Sequence, residues 1–200
     1  MFILMNKKKE FNLNIVLLGD SGVEKSKYMN SFLNNKIEDI EESLIGIKIE
    51  EKTIQINFKQ KGIVNLIDTS GQEKFKRIMK NIYERGDGFI IFSSFLNKES
   101  IKSISDWYNN IIEYKSKDVP IKHIIIDGDK VDQETKESII NEMIEYFISL
   151  NNPDLPCLGF EECNYNIEEI NHCFTQFIIE ILDFQKLNQM KKKEESIISG

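Results

Sequence analysis

The run Ile15-Val16-Leu17-Leu18 leads straight into Gly19-Asp20-Ser21-Gly22-Val23-Glu24-Lys25-Ser26, and a helical stretch over about 25–34 follows. An unbroken apolar run is the mark of a parallel strand buried on both faces. A buried strand that enters a helix through a short, glycine-bounded loop belongs to folds in which strands and helices alternate.

The rest of the chain keeps to that alternation. Ile45, Ile47 and Ile49 share one face of a second strand, and Ile54, Ile56 and Phe58 continue the period of two. Residues 59–62 read as a polar turn, and 63–67 as the antiparallel return strand. Residues 72–83 are weakly helical and 88–92 form a buried strand. Ile101, Ile104, Trp107, Tyr108 and Ile111 make one stripe of a helix over 100–114. Residues 121–126 are a strand. A helix over 133–150 turns Ile139, Ile140, Met143, Ile144, Phe147 and Ile148 inward. The last strand is expected over 155–160. A closing helix over 167–182 places Ile170, Phe174, Phe177, Ile178 and Ile181 on its apolar face. The expectation is an α/β, doubly wound sheet of about six strands, mostly parallel with one antiparallel edge strand, flanked by about five helices. Residues 1–10 read as an extension, 11–184 as one domain, and 185–200 as a lysine-rich tail expected to be disordered. Ligands of such sheets sit beyond the carboxyl ends of the strands.

The loop after the first strand lies at such an end. Its spacing follows the phosphate-binding pattern of glycine, four residues, glycine, lysine, then serine or threonine, except that Glu24 replaces the second glycine. In an intact loop, successive backbone N–H groups form a concave anion site, helped by the positive end of the helix dipole. Lys25 would reach the β- and γ-phosphates and Ser26 would bind Mg²⁺. A carboxylate ~4 Å from one phosphate charge costs about 4 kcal/mol at an effective dielectric near 20. Glu24 is therefore expected to weaken nucleotide binding, directly or by pairing with Lys25.

Asp68-Thr69-Ser70-Gly71-Gln72-Glu73 follows the return strand. At a strand end, Asp68 can hold a Mg²⁺-bound water, Gly71 can offer its N–H to a γ-phosphate, and Gln72 can orient an attacking water. Asp129-Lys130-Val131-Asp132 follows the strand ending at Ile126. Asp132 is placed to accept hydrogen bonds from guanine N1 and N2 donors, while the stem of Lys130 packs along the base.

Together these segments resemble the Ras superfamily of small GTPases, and the Rab family most closely, over about 14–182. The most specific stretch is Leu66-Ile67-Asp68-Thr69-Ser70-Gly71-Gln72-Glu73-Lys74-Phe75, similar to the Rab switch II. Leu44-Ile45-Gly46 resembles switch I, and Arg85-Gly86-Asp87-Gly88 resembles the segment before the fourth strand. The resemblance implies a P-loop NTPase-type sheet and a GTP/GDP switch in vesicle-mediated transport that hydrolyses GTP with Gln72 as the catalytic residue. It implies nucleotide binding by Gly19, Asp20, Ser21, Gly22, Val23, Glu24, Lys25, Ser26, Asp68, Thr69, Ser70, Gly71, Asp129, Lys130 and Asp132, with Ser26 and Asp68 serving Mg²⁺. Effectors and regulators would dock on the switch regions, about 37–50 and 68–83.

Several positions depart from the family. The switch I threonine that binds Mg²⁺ and the γ-phosphate falls on Leu44, with Ser43 beside it. The base-reading asparagine is Asp129, and a carboxylate cannot donate to guanine N7. The expected Ser-Ala-Lys is missing around 160–164. The aromatic triad read by Rab effectors falls on Ile49, Ile67 and either Ile82 or Tyr83. These departures favour impaired binding or hydrolysis, with a nucleotide-independent binding module, a pseudo-GTPase, as the alternative.

The net charge of −7 argues against a general nucleic-acid binder. Cys157, Cys163 and Cys173 have neither a disulfide framework nor metal-ligand spacing. No apolar run nears the ~18 residues that span a membrane. The expected location is cytoplasmic and the expected state monomeric. The last cysteine is Cys173, so no prenylation site is expected. Lys191, Lys192 and Lys193 offer at most weak, peripheral membrane contact, offset by Glu194 and Glu195.

Overall fold

The computed structural model describes residues 9–38, 46–69, 76–115, 118–150, 160–163 and 165–198. In chain order the elements are β1 (Lys9–Leu18), α1 (Lys25–Asn34), β2 (Ile47–Asn57), β3 (Gln60–Thr69), α2 (Lys76–Arg85), β4 (Gly88–Ser94), α3 (Lys98–Lys102), α4 (Ile104–Tyr114), β5 (Ile121–Ile126), α5 (Gln133–Ser149), β6 (Glu161–Cys163) and α6 (Ile167–Ile198). One six-stranded sheet runs β2-β3-β1-β4-β5-β6. Only β2 and β3 pair antiparallel; every other neighbour is parallel. The fold is the expected α/β sheet. Ser103, still in helical geometry, joins α3 to α4, so the two act as one bent helix and five helices among the described residues flank the sheet.

The continuous apolar runs are explained by two cores. Leu13, Ile15 and Leu17 of β1 face one core, and Val16 and Leu18 face the other. β4 divides in the same way, with Ile90 and Phe92 against Phe89 and Ile91. α1 and α6 cover the first core, where the rings of Phe32 and Phe174 stack at 4.1 Å between centroids. α2, α3, α4 and α5 cover the second. Fully burying one such side chain contributes roughly 1.5–3 kcal/mol, so the central strands need no help from local propensity.

Five expectations need correction. Ile49 and Ile54 are an odd number of residues apart, so the phase reverses along β2: Ile47 packs on the second core, and Ile54 and Ile56 on the first. Ile49 is left largely exposed, and Phe58, at 92% exposure, sits in the turn. On α5, Ile139, Met143 and Phe147 are buried, but Ile144 and Ile148 are exposed because they lie one step round the helix from that stripe. The last strand is Glu161–Cys163 rather than 155–160; positions 155–159 lie outside the described residues. The helix expected from 100 starts at Lys98, where the side chain of Asn97 caps the amide of Ser100. The segment expected to be a disordered tail continues α6 as helix to Ile198, although Ile181 is its last fully buried residue. Lysine, glutamate, glutamine and methionine are good helix formers and propagate a helix already nucleated on the core.

Candidate functional site

The parallel strands bring the carboxyl ends of β1, β3, β4, β5 and β6 to one edge. Leu17 pairs with Asp68, Ser94 with Ile126, and Ile126 with Cys163. The loops leaving these ends carry most of the residues singled out from the sequence.

The loop after β1 is tightly curled. Gly19 (φ 132) and Gly22 (φ 84) lie in regions that L side chains avoid. A Cβ on Gly19 would overlap the carbonyl oxygen of Phe92 on β4. Helix α1 begins only at Lys25, and no side-chain hydrogen bond caps it. Its first amides stay open to an anion. Lys25 folds back across the loop, donating from Nζ to the carbonyls of Gly19 and Asp20, each at 2.8 Å. It is 5% exposed. Burial pulls its pKa down to about 8, against the opposing charges of Asp68 and Asp20.

Glu24 takes the left-handed conformation at φ 52, which costs a non-glycine residue roughly 1–2 kcal/mol. The expected alternative, pairing with Lys25, is not what the ammonium does. The Glu24 carboxylate instead neighbours the Tyr165 hydroxyl between β6 and α6. Burial, and then Glu24, push the Tyr165 pKa upward. Glu24 Oε2 and the Tyr165 hydroxyl are buried without hydrogen-bond partners among the described residues.

The Ser26 hydroxyl donates to Asp68 Oδ2. Burial raises the Asp68 pKa, opposed by the Ser26 hydrogen bond and the Lys25 charge. Asp68 Oδ1 is buried with no partner among the described residues. A serine hydroxyl beside a carboxylate with an unused oxygen is a donor set suited to a small, hard cation. Thr69 turns its hydroxyl the other way, onto the carbonyl of Leu17 at 2.9 Å, and so ties β3 to β1.

After β5 the chain reverses at Asp127 (φ 65) and makes a 3₁₀ turn over Gly128–Lys130. Asp129 is exposed. Lys130 Nζ lies 2.5 Å from Asp127 Oδ1. That hydrogen bond, more than any other influence, raises the Lys130 pKa. Asp132 caps α5, accepting from the Thr135 amide at 2.9 Å and hydroxyl at 2.8 Å. Those bonds hold its pKa below the usual carboxylate range.

The structure therefore brings together Gly19, Asp20, Ser21, Gly22, Val23, Glu24, Lys25, Ser26, Asp68 and Thr69. Asp129, Lys130 and Asp132 lie on the neighbouring loop. Ser43, Leu44, Ser70, Gly71 and Gln72 lie outside the described residues. Sequence reasoning overlooked Asp127, whose one signal is an acid directly after three isoleucines. It also overlooked Tyr165, and it read Trp107 as core alone, although its indole N–H reaches Asp20. The apolar positions near the switches are set side by side: Ile49 pairs with Ile67, and Ile67 shares a core with Ile82 and Tyr83.

Comparison with known proteins gives the same reading of the chain. Residues 14–183 match the Ras family. The Ras-related protein RABC2b of Arabidopsis thaliana is 29% identical over 180 residues, covering 89% of this chain and 83% of its own. The Ras-related protein Rab-12 of Mus musculus is 27% identical over 191 residues, covering 95% and 76%. The Ras-related protein Rab-11C of Dictyostelium discoideum is 27% identical over 176 residues, covering 88% and 75%.

Proposed function

The chain belongs to the Ras family, in its Rab branch, and we propose that it is a small GTPase switch of vesicle-mediated transport in which nucleotide binding is weakened. The observation that carries the reading is the curled loop Gly19–Ser26, with the Lys25 ammonium held inside it at the uncapped start of α1. Amides, helix dipole and ammonium converge there, which suits the phosphates of GTP or GDP. Ser26 and Asp68 would hold Mg²⁺, and the unused Asp68 oxygen supports that fit. The ion would supply positive charge against the phosphates. Gln72 would orient the hydrolytic water. Effectors and regulators would read the surface around Ile49, whose exposed side chain takes the place of an aromatic residue.

The weakening follows from Glu24, which puts a carboxylate into a loop built for anions. A second reading, a pseudo-GTPase that binds partners without nucleotide, is favoured by the same residue, because Glu24 puts a buried carboxylate oxygen at the head of α1. No helix among the described residues is long and apolar enough to cross a membrane.

The test is to denature the purified protein and resolve the released nucleotides by ion exchange. Co-purifying GDP or GTP supports the switch; its absence, together with no binding of added GDP, sinks it in favour of the binding module. Single-turnover hydrolysis by wild type and Gln72→Leu then checks the enzymatic step. Equal rates would remove Gln72 from it.

A further inference from the structure

Two helix faces of this chain lie uncovered, and their chemistry is complementary. On α5 the stripe Ile139, Met143 and Phe147 holds the helix to the second core. One step round, Ile140, Ile144 and Ile148 stand at successive turns. Ile140 is partly buried, but Ile144 and Ile148 are exposed, the latter at 62%. Glu134, Glu137 and Glu145 are exposed on the same side of the helix. Glu142 is paired with Lys98, and the one lysine of α5, Lys136, with Glu162, which leaves those three acids without an ion pair among the described residues. Four glutamates against one lysine give α5 a net charge of −3.

The far part of α6 has the opposite character. Leu187, Met190 and Ile197 are exposed, Met190 at 52%. Leu187 and Met190 are three residues apart and share a face, which Glu194 interrupts before Ile197. Residues 186–193 hold Lys186, Lys191, Lys192 and Lys193 and no acid, a net charge of +4. All four lysines are exposed. This segment cannot reach α5 of its own chain. α6 packs on the first core and α5 on the second, across the sheet, and α6 runs as one unbroken helix to Ile198.

We propose that residues 186–193 of one copy dock on α5 of a second copy, with Leu187 and Met190 packed on Ile144 and Ile148 and the lysines facing Glu134, Glu137 and Glu145. A twofold axis makes the exchange reciprocal: each copy gives a tail and receives one, and the assembly closes as a dimer. Two short helix contacts make an interface of the weaker, reversible class. The dimer does not depend on the nucleotide reading, and the monomer expected from the sequence is the competing outcome.

The test is sedimentation equilibrium of the full chain. Wild type should dimerise with a dissociation constant of about 10 μM near 0.1 M salt, and at least about tenfold more weakly near 1 M, where charges are screened beyond about 3 Å. Glu137→Lys/Glu145→Lys puts lysines on both faces, and Lys186→Glu/Lys191→Glu puts acids on both, so each variant alone should be monomeric. Mixed one to one, they should form a heterodimer in which both contacts again join opposite charges. All four positions are exposed, so melting temperatures should stay close to wild type. Met190→Glu should weaken the wild-type dimer at least about tenfold. A wild type still monomeric at about 300 μM overturns the proposal. So does a dimer that survives both charge reversals, or a mixture that stays monomeric. Binding of a monomeric wild type to phosphatidylserine vesicles through the same lysines would assign the tail to a lipid surface and likewise overturn it.

Discussion

The indole N–H of Trp107 donates to Asp20 Oδ1 across 2.9 Å, and the Ser103 hydroxyl holds the other carboxylate oxygen at 2.8 Å. The bent helix α3–α4 thus grips the loop after β1 from the second core. Trp107 is the chain's single tryptophan and is 4% exposed. Trp107→Phe removes a hydrogen bond to a charged group and leaves a gap in the core, and should cost roughly 2–4 kcal/mol in urea unfolding. The indole should also report the loop, its emission shifting as GDP or pyrophosphate is added. An emission that stays flat while calorimetry records binding would show that the grip does not couple the two.

Glu24→Gly should act on stability and binding together. Glycine accepts the left-handed backbone and removes a buried carboxylate oxygen that lacks a partner among the described residues. The gain in stability should be about 1 kcal/mol once glycine's extra unfolded-state freedom is subtracted. GTP affinity should rise by about one to three decades, the upper end being the full repulsion at ~4 Å. Calorimetry on the two proteins checks it, and equal affinities would clear Glu24 of any part in weakening the site.

Cys163 and Cys173 give the fold a signed response to alkali. Burial pushes their thiols up to about 11 and about 12, from the ordinary 9.0. Between pH 9 and those values the unfolded chain loses thiol protons that the folded chain keeps. Stability should therefore be complete below pH 9 and fall as pH rises through that window. Both thiols should also resist iodoacetamide at pH 8 until the protein is unfolded, because the thiolate is the reactive form. Rapid labelling of either residue in the native protein would contradict their burial.

Asp132 should matter even when nothing is bound. It caps α5 through the Thr135 amide. Asp132→Ala should lower the melting temperature of the nucleotide-free protein, because the cap on α5 is lost. Asp132→Ser, which can still cap, should recover most of the loss. A residue serving only as a base reader would show neither effect.

The parts of the fold that could be read from sequence are those whose pattern is set by burial. β1, β4 and β5 are apolar on consecutive residues because two cores claim alternate side chains. The stripe on α6 is continuous because the sheet covers it from Ile170 to Ile181. Exposure on α5 was illegible: Ile144 and Ile148 have the same chemistry as Ile140, and only the position of the sheet separates them. The helical course of α6 past Leu182 was hidden because polar composition does not distinguish a disordered tail from a helix nucleated on a core. In the candidate site, the motif spacing located the loops, yet the partners inside them depend on backbone torsions. The left-handed turn at Asp127 aims Lys130 at a carboxylate three residues back, and no periodicity announces it.

The long final helix has a mechanical consequence. Ile197 lies about 24 Å beyond Ile181 along the axis, at roughly 1.5 Å per residue. Phe174 and Phe177 seat the root of this rod among the rings and strands beneath α1. A tilt of about 10° at the root would sweep the tip through about 4 Å over that length. Small repacking beneath the sheet is thus amplified by leverage into a displacement large enough to measure with a probe at the far end.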